Sequence, residues 1–188
     1  MITFCLCALS LQAQDIKPSK VKKSKVSTLV RDLQDRELPV ISLQPKEEEK
    51  SSAVDEALIS SIISYAKKHL GYKYRSGGKG PKVFDCSGFV GYVWGHFGYK
   101  MASSSSAQYH QGEEVKRNDL KPGDLLFFNG RARGGSVGHV GMVVSVNPET
   151  KAVKFIHAAT SVGIKIDSYP DGGYYSARYV GAKRIIPN

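Results

Sequence analysis

The sequence predicts an α+β fold in which helices come first and pack on an antiparallel sheet that follows. Three observations carry that expectation. Apolar residues recur at helical spacing from Ala53 towards Gly71, and again from Cys86 to about Phe97. From Leu125 onward the pattern changes to short β-rich runs separated by turn residues. Helix-forming and strand-forming runs are segregated along the chain and nothing repeats, which argues against alternating βαβ units. The chain has 188 residues, 41% of them hydrophobic, which suits one cored domain plus an additional segment.

Met1 to about Ala13 is a short apolar run that ends in small and polar residues before Gln14-Asp15. Residues 1–13 therefore read as a secretory signal peptide, too short to cross a bilayer. Neither Cys5 nor Cys7 follows the aliphatic-then-small pattern of a lipidated cysteine, so export to the periplasm or cell envelope is expected rather than lipoprotein anchoring. No stable membrane insertion is expected once the signal is removed. Residues 14–52 are polar and mixed in charge, with Lys17, Lys20, Lys22, Lys23 and Lys25 followed by Glu47-Glu48-Glu49. They read as a flexible linker, with a short helix around Thr28 to Arg36 as its one structural element. Residues 53–188 form the expected domain.

Within that domain, Val54, Ala57, Leu58, Ser61, Ile62 and Tyr65 mark the first helix, which ends at Gly71. The run Gly71 to Gly78 reads as a loop. Asp85 is the expected N-cap of the second helix and Gly98 its C′ residue; Cys86, Phe89, Val90, Val93 and Phe97 share one face. Ala102 to Ala107 reads as a serine-rich loop. Lys121-Pro122-Gly123-Asp124 turns into a strand, Leu125 to Phe128. Gly130 to Gly138 is a glycine- and arginine-rich loop. Strands follow at His139 to Val146, Ala152 to Ala158 and Tyr179 to Ile185.

The chemistry-bearing residues are Cys86, His139 and His157. With the signal removed, Cys86 is the one cysteine left in an exported chain, with no internal disulfide partner. At a helix N-terminus its thiolate meets the positive end of the helix dipole, and the unpaired N–H groups there can hold an oxyanion. Cysteine plus two histidines supplies a nucleophile, a base and a group that orients the base. A hairpin with residues 147–151 as its loop makes facing residue numbers sum to 298. Gly141 then faces His157, and His139 lies diagonal to His157 on the same face. A slip of one residue would separate them. Three zinc ligands is the bland alternative, but close-spaced ligand pairs are missing. The glycine-rich loop lacks the Walker lysine and the Rossmann spacing, so no cofactor is expected. His69, His96 and His110 read as ordinary satisfied polar groups.

The formal net charge is +10 and the pI near 9.5. Residues 51–188 alone carry 18 Lys/Arg against 10 Asp/Glu. This favours anionic partners, and no nucleic-acid motif accompanies the charge.

Asp85-Cys86-Ser87-Gly88-Phe89-Val90, Pro122-Gly123-Asp124-Leu125-Leu126-Phe127-Phe128, Gly138-His139-Val140-Gly141-Met142 and Phe155-Ile156-His157-Ala158 stand in the order seen in NlpC/P60 cell-wall peptidases. The chain resembles that family from about Ala53 to Pro187. The resemblance implies a papain-like fold and hydrolysis of peptide bonds in bacterial peptidoglycan stems by an exported, monomeric thiol protease. It implies Cys86 as nucleophile, His139 as base and His157 as the third polar residue, with no metal. Tyr74, in Tyr74-Arg75-Ser76-Gly77-Gly78, matches a family tyrosine whose hydroxyl would help hold the oxyanion; Asp85 and Ser87 would contact substrate. The bond implied first is γ-D-glutamyl to diamino acid. The D,D-crosslink between stems is the alternative, ahead of an N-acetylmuramoyl-L-alanine amidase. A non-catalytic wall-binding module is the alternative of another class, and it has no need of Cys86, His139 and His157 together.

Overall fold

The structure, a computed structural model, describes residues 45–130 and 135–186, with side chains from Ser52 onward. The expected signal peptide, the Thr28–Arg36 helix, and Arg131 and Arg133 of the glycine-rich loop lie outside the described residues.

Helix α1 spans Pro45–Lys67, so it starts inside the segment expected to be linker. Proline suits the first turn of a helix, where its missing N–H is not needed, and Glu47-Glu48-Glu49 suit the positive end of the dipole. The helix buries Ile62, Ile63 and Ala66, while Val54 is exposed. The apolar stripe is thus rotated from the one the spacing suggested. Strands β1 (Lys73–Tyr74) and β2 (Val83–Phe84) form a small parallel pair, with Tyr74 opposite Phe84. The segment expected as a loop is therefore tied down; two-residue strands are too short for a periodicity to reveal.

Helix α2 spans Cys86–His96. Asp85 caps it: its Oδ1 accepts from Gly88 N–H at 2.6 Å. Gly98 follows the helix with φ +88°. A short helix α3, Ser105–Gln108, capped by Ser104, replaces the expected serine loop. Strand β3 (Glu113–Val115) and a 3₁₀ turn (Arg117–Asp119) lead into β4 (Leu125–Asn129). Then come β5 (Val137–Val146), β6 (Val153–Ala159), β7 (Gly163–Tyr169) and β8 (Tyr179–Arg184). The six strands β3 to β8 make one antiparallel sheet of order β3-β8-β4-β5-β6-β7. The expectation missed β3 and β7.

Both faces of this sheet are covered. Phe127, Val140, Met142 and Ile156 pack against α1 and α2 through Ile62, Phe89 and Val93. On the other face Leu126, Phe128, Val143 and Phe155 pack with Val115, Leu120 and Tyr169. Alternation at Phe127/Phe128 and Met142/Val143 is what sends neighbours to opposite faces. Among the described residues no helix is long and apolar enough to cross a membrane.

One buried ion pair ties the chain's end to the sheet. Asp124 is 1% exposed and receives Arg184 Nε at 2.8 Å and Nη2 at 2.9 Å, with the Lys121 N–H at 2.7 Å. Removing one partner of such a pair leaves the other charge uncompensated. Asp124→Ala is expected to lower unfolding stability by about 3 kcal/mol in denaturant titration; a loss below about 1 kcal/mol would show that water replaces the carboxylate there.

Candidate active site

The site starts from the way two glycines let backbone approach backbone. Gly88, in the first turn of α2, packs directly under the Gly78 carbonyl, and a Cβ at Gly88 would collide with that oxygen. Asp85 N–H donates to the same carbonyl at 2.8 Å, and Arg75 N–H to Phe84 O at 2.9 Å. The β1–β2 pair and the Gly77-Gly78 turn therefore hold Tyr74 close to Cys86.

Cys86 is half-buried. Its Sγ lies 3.9 Å from Gly138 O and receives the Val140 N–H. His139 stands between those two residues in β5, so the sulfur meets the backbone on either side of it. Burial, and then the Asp85 charge, push the thiol up from its usual value, although the N–H groups of Ser87, Val140 and Cys86 itself oppose the shift.

His139 Nε2 lies 2.9 Å from His157 Nδ1, with the rings perpendicular. Burial, then the neighbouring His157, push the His139 imidazole down to about 3, against the opposing pull of Asp167. His157 is 1% exposed, and burial lowers it too despite its bond to Asp167. The shifts favour the neutral form of both rings and the protonated form of the Cys86 thiol. These directions favour thiol and imidazole over thiolate and imidazolium.

The hairpin reaches this arrangement by a route the sequence did not show. Met142 faces Ile156 and Val143 faces Phe155, as the sum of 298 requires. Beyond them a bulge between Val143 and Ser145 shifts the register, so Val146 faces Val153 rather than Ala152. The turn is one residue longer than assumed, and the bulge absorbs the difference before the histidines are reached.

Behind His157 stand two residues that sequence reasoning missed. Asp167 Oδ2 lies 3.0 Å from His157 Nε2, and Tyr175 OH donates to the same oxygen at 2.9 Å. Lys165 Nζ pairs with Asp167 Oδ1 at 2.9 Å. Burial pushes the Asp167 carboxyl up, but hydrogen bonds from Lys165, His157 and Tyr175 outweigh it and hold the group below the usual carboxylate range. The signal was present: Gly163-Ile-Lys-Ile-Asp-Ser-Tyr alternates as a strand does, with Lys165 and Asp167 on one face. A groove of about 530 Å³ opens here, lined by His139, His157, Thr160, Lys165, Asp167 and Tyr174 among others.

The remaining expected site residues divide. Tyr74 is half-buried, and burial, then Cys86 and Asp85, raise its phenol, which places it within electrostatic reach of the sulfur. Asp85 is committed as the cap and to Lys79, whose Nζ lies 3.2 Å from both carboxylate oxygens. Ser87 is 5% exposed, and its hydroxyl bonds Ser103 O at 3.0 Å and Asp85 Oδ1 at 3.1 Å. These bonds make Asp85 and Ser87 parts of the scaffold under Cys86. His69 bonds Tyr65 O, and His96 stacks on Tyr65.

Residues 71–184 match the NlpC/P60 family. A gamma-DL-glutamyl hydrolase of Bacillus subtilis is 37% identical over 126 residues, covering 66% of this chain and 29% of the relative. A murein DD-endopeptidase/LD-carboxypeptidase of Escherichia coli is 35% identical over 148 residues, covering 77% of this chain and 73% of the relative. The chain thus spans under a third of the first relative's length. The crystal structure of an NlpC/P60 family protein from Bacillus cereus superposes with a TM-score of 0.61 at 30% identity, over 69% of this chain and 40% of that one.

Gly141 offers a direct test of how tightly the histidines are held. A Cβ there would meet the Phe155 ring at 2.6 Å, His157 Cβ at 3.0 Å and Ile156 O at 3.1 Å. Gly141→Ala is expected to cost about 1–3 kcal/mol of stability and to move the His157 ring resonances in NMR spectra. Unchanged resonances would mean that the strand pair yields without disturbing the imidazole.

Proposed function

The chain belongs to the NlpC/P60 family, and from that premise we propose that it is a cysteine endopeptidase acting on peptidoglycan stem peptides. The observation that carries the proposal is the meeting of Cys86, at the start of α2, with the segment 138–140 of β5, whose His139 is backed by His157. A wall-binding module has no need of Cys86, His139 and His157 together. The bond read first is γ-D-glutamyl to diamino acid, supported by the name of the Bacillus subtilis relative. Cleavage of the D,D-crosslink is the second reading, favoured by the Escherichia coli relative, of which this chain covers most of the length. Action on the wall implies export, consistent with residues 1–13 as a signal peptide.

The chemistry runs from the neutral pair. As Cys86 Sγ attacks the amide carbonyl carbon, its proton passes to His139 Nδ1, since Nε2 is engaged with His157. The carbonyl π electrons move to oxygen, and the Cys86 N–H with the Tyr74 hydroxyl stabilise that oxyanion. Collapse breaks the C–N bond, and His139 gives its proton to the departing amine. Water, deprotonated by His139, then attacks the thioester, and the thiolate leaves and regains the proton. His157 keeps the His139 ring in one orientation throughout. No step calls for a metal or an organic cofactor.

Mass spectrometry of peptidoglycan fragments incubated with the protein tests the assignment, because product masses name the bond. Cys86→Ala is expected to abolish turnover with the fold intact, and turnover retained by that variant would reject the scheme. The pH dependence follows from the two shifts. A base depressed to about 3 stays neutral as pH falls through the ordinary histidine range, and a raised thiol keeps its proton as pH rises through the ordinary thiol range. The competent form therefore persists on both sides, and kcat/KM is expected to be flat from about pH 5.5 to about pH 8.5. An acid limb near pH 6.5 would mean that His139 titrates as an exposed imidazole does.

A further inference from the structure

We propose that Asp167 is a positioning residue that sets the tautomer of His139 through His157, with Lys165 and Tyr175 fixing which carboxylate oxygen does so. The inference rests on the reading of His139 as the base.

The argument is one of donors and acceptors. An ionised carboxylate only accepts, so Asp167 Oδ2, 3.0 Å from His157 Nε2, requires that nitrogen to carry the hydrogen. A neutral His157 with its hydrogen on Nε2 presents a lone pair at Nδ1. His139 Nε2, 2.9 Å away, must then be the donor. A neutral His139 with its hydrogen on Nε2 has its lone pair on Nδ1, the nitrogen required to take the Cys86 proton. Among the described residues Nδ1 has no hydrogen-bond partner. One carboxylate, two rings away, thus decides whether the base is a base.

Lys165 and Tyr175 make that decision one-sided. Lys165 Nζ holds Oδ1 at 2.9 Å, and the Tyr175 hydroxyl donates to Oδ2 at 2.9 Å while lying 3.2 Å from His157 Nε2. Tyr175 is itself fixed edge-on to Phe155, with ring centroids 4.9 Å apart, and Phe155 lies beside the His157 ring at 4.9 Å. The carboxylate cannot swing away without breaking its bonds to all three partners.

Asp167→Asn is the informative change because it is nearly isosteric and inverts the chain. Lys165 has only hydrogens to offer, so it captures the amide oxygen and turns the NH₂ towards His157 Nε2. That nitrogen becomes an acceptor, the His157 hydrogen moves to Nδ1, and His139 Nε2 becomes an acceptor in turn. The His139 hydrogen is then on Nδ1, where it blocks uptake of the thiol proton. The nearest precedent in kind is a serine-protease triad in which aspartate-to-asparagine substitution leaves the geometry intact and imposes the wrong tautomer, at a cost of about 10⁴ in kcat.

The test is ¹⁵N NMR of the imidazoles in the full chain and in Asp167→Asn, beside kcat and KM on peptidoglycan fragments and a melting curve. Wild type is expected to show both His139 and His157 with hydrogen on Nε2. Asp167→Asn is expected to show both with hydrogen on Nδ1, to melt as a folded protein, and to lose about 10²-fold or more in kcat with little change in KM. A folded Asp167→Asn that keeps His139 in its original tautomer, or keeps kcat within about threefold, overturns the proposal. Should that variant fail to fold, Asp167→Ala decides it: with the carboxylate acceptor gone, the second tautomer must appear at His157 and His139, and an unaltered spectrum overturns the proposal. The tautomer is read without substrate. Absence of turnover in the wild type would therefore count against the hydrolase reading, while the spectra alone would decide the relay.

Discussion

Everything at the site depends on how closely the Gly77-Gly78 turn can lie against the first turn of α2. With no side chain at Gly88, the Gly78 carbonyl sits where a Cβ would otherwise stand, and it receives the Asp85 N–H. That single approach sets three things at once. It seats the helix N-terminus, it leaves Asp85 free to cap, and it carries Tyr74 alongside through the β1–β2 pair. Lys79 and Ser87 close the same corner with bonds to Asp85 and Ser103. Cys86, the proposed nucleophile, is thus held by backbone geometry on a rigid element, which is what gives positional accuracy to a reactive atom.

The sheet supplies the opposite requirement, a polar chain in a dry place. Its two covered faces let the strand β6 send Ile156 and Ala158 into the helical core and Phe155 and His157 to the other side. A buried imidazole needs partners for both nitrogens. His157 finds them in His139 and Asp167, from the strands on either side of its own. The order β5-β6-β7 is therefore also the order of the polar chain. Packing and chemistry share one topology, because the antiparallel register that closes the core also places the three side chains within bonding distance.

The parts legible in the sequence were those signalled by periodicity or by residue type. The α+β order, the Asp85 cap, the α2 span and the proximity of His139 to His157 could all be read from local pattern. The parts that were not legible failed for identifiable reasons. A two-residue strand has no period. The Ser104–Gln108 turn reads as a loop because serine disfavours helix interiors while favouring caps. The β5 bulge falls in Val143-Val144, where every residue is an equally good strand former, so nothing marks the extra one. The inferred histidine pairing held because a turn one residue longer than assumed was offset by that bulge. Asp167 and Tyr175 were missed because their importance lies in what they touch. Asp85 and Ser87 flank Cys86 in sequence, and their hydrogen bonds face the scaffold.

The protonated resting state of Cys86 has a consequence beyond turnover. Peroxides, disulfides and alkylating reagents all react with the thiolate, and a sulfur whose pKa is raised by burial presents little of it. On the proposed mechanism the sulfur is therefore chemically quiet until an acyl group lies beside it and His139 can accept its proton in the same motion. Sluggish labelling by a thiol reagent would then mark the idle form of the sulfur rather than the lack of a reactive one.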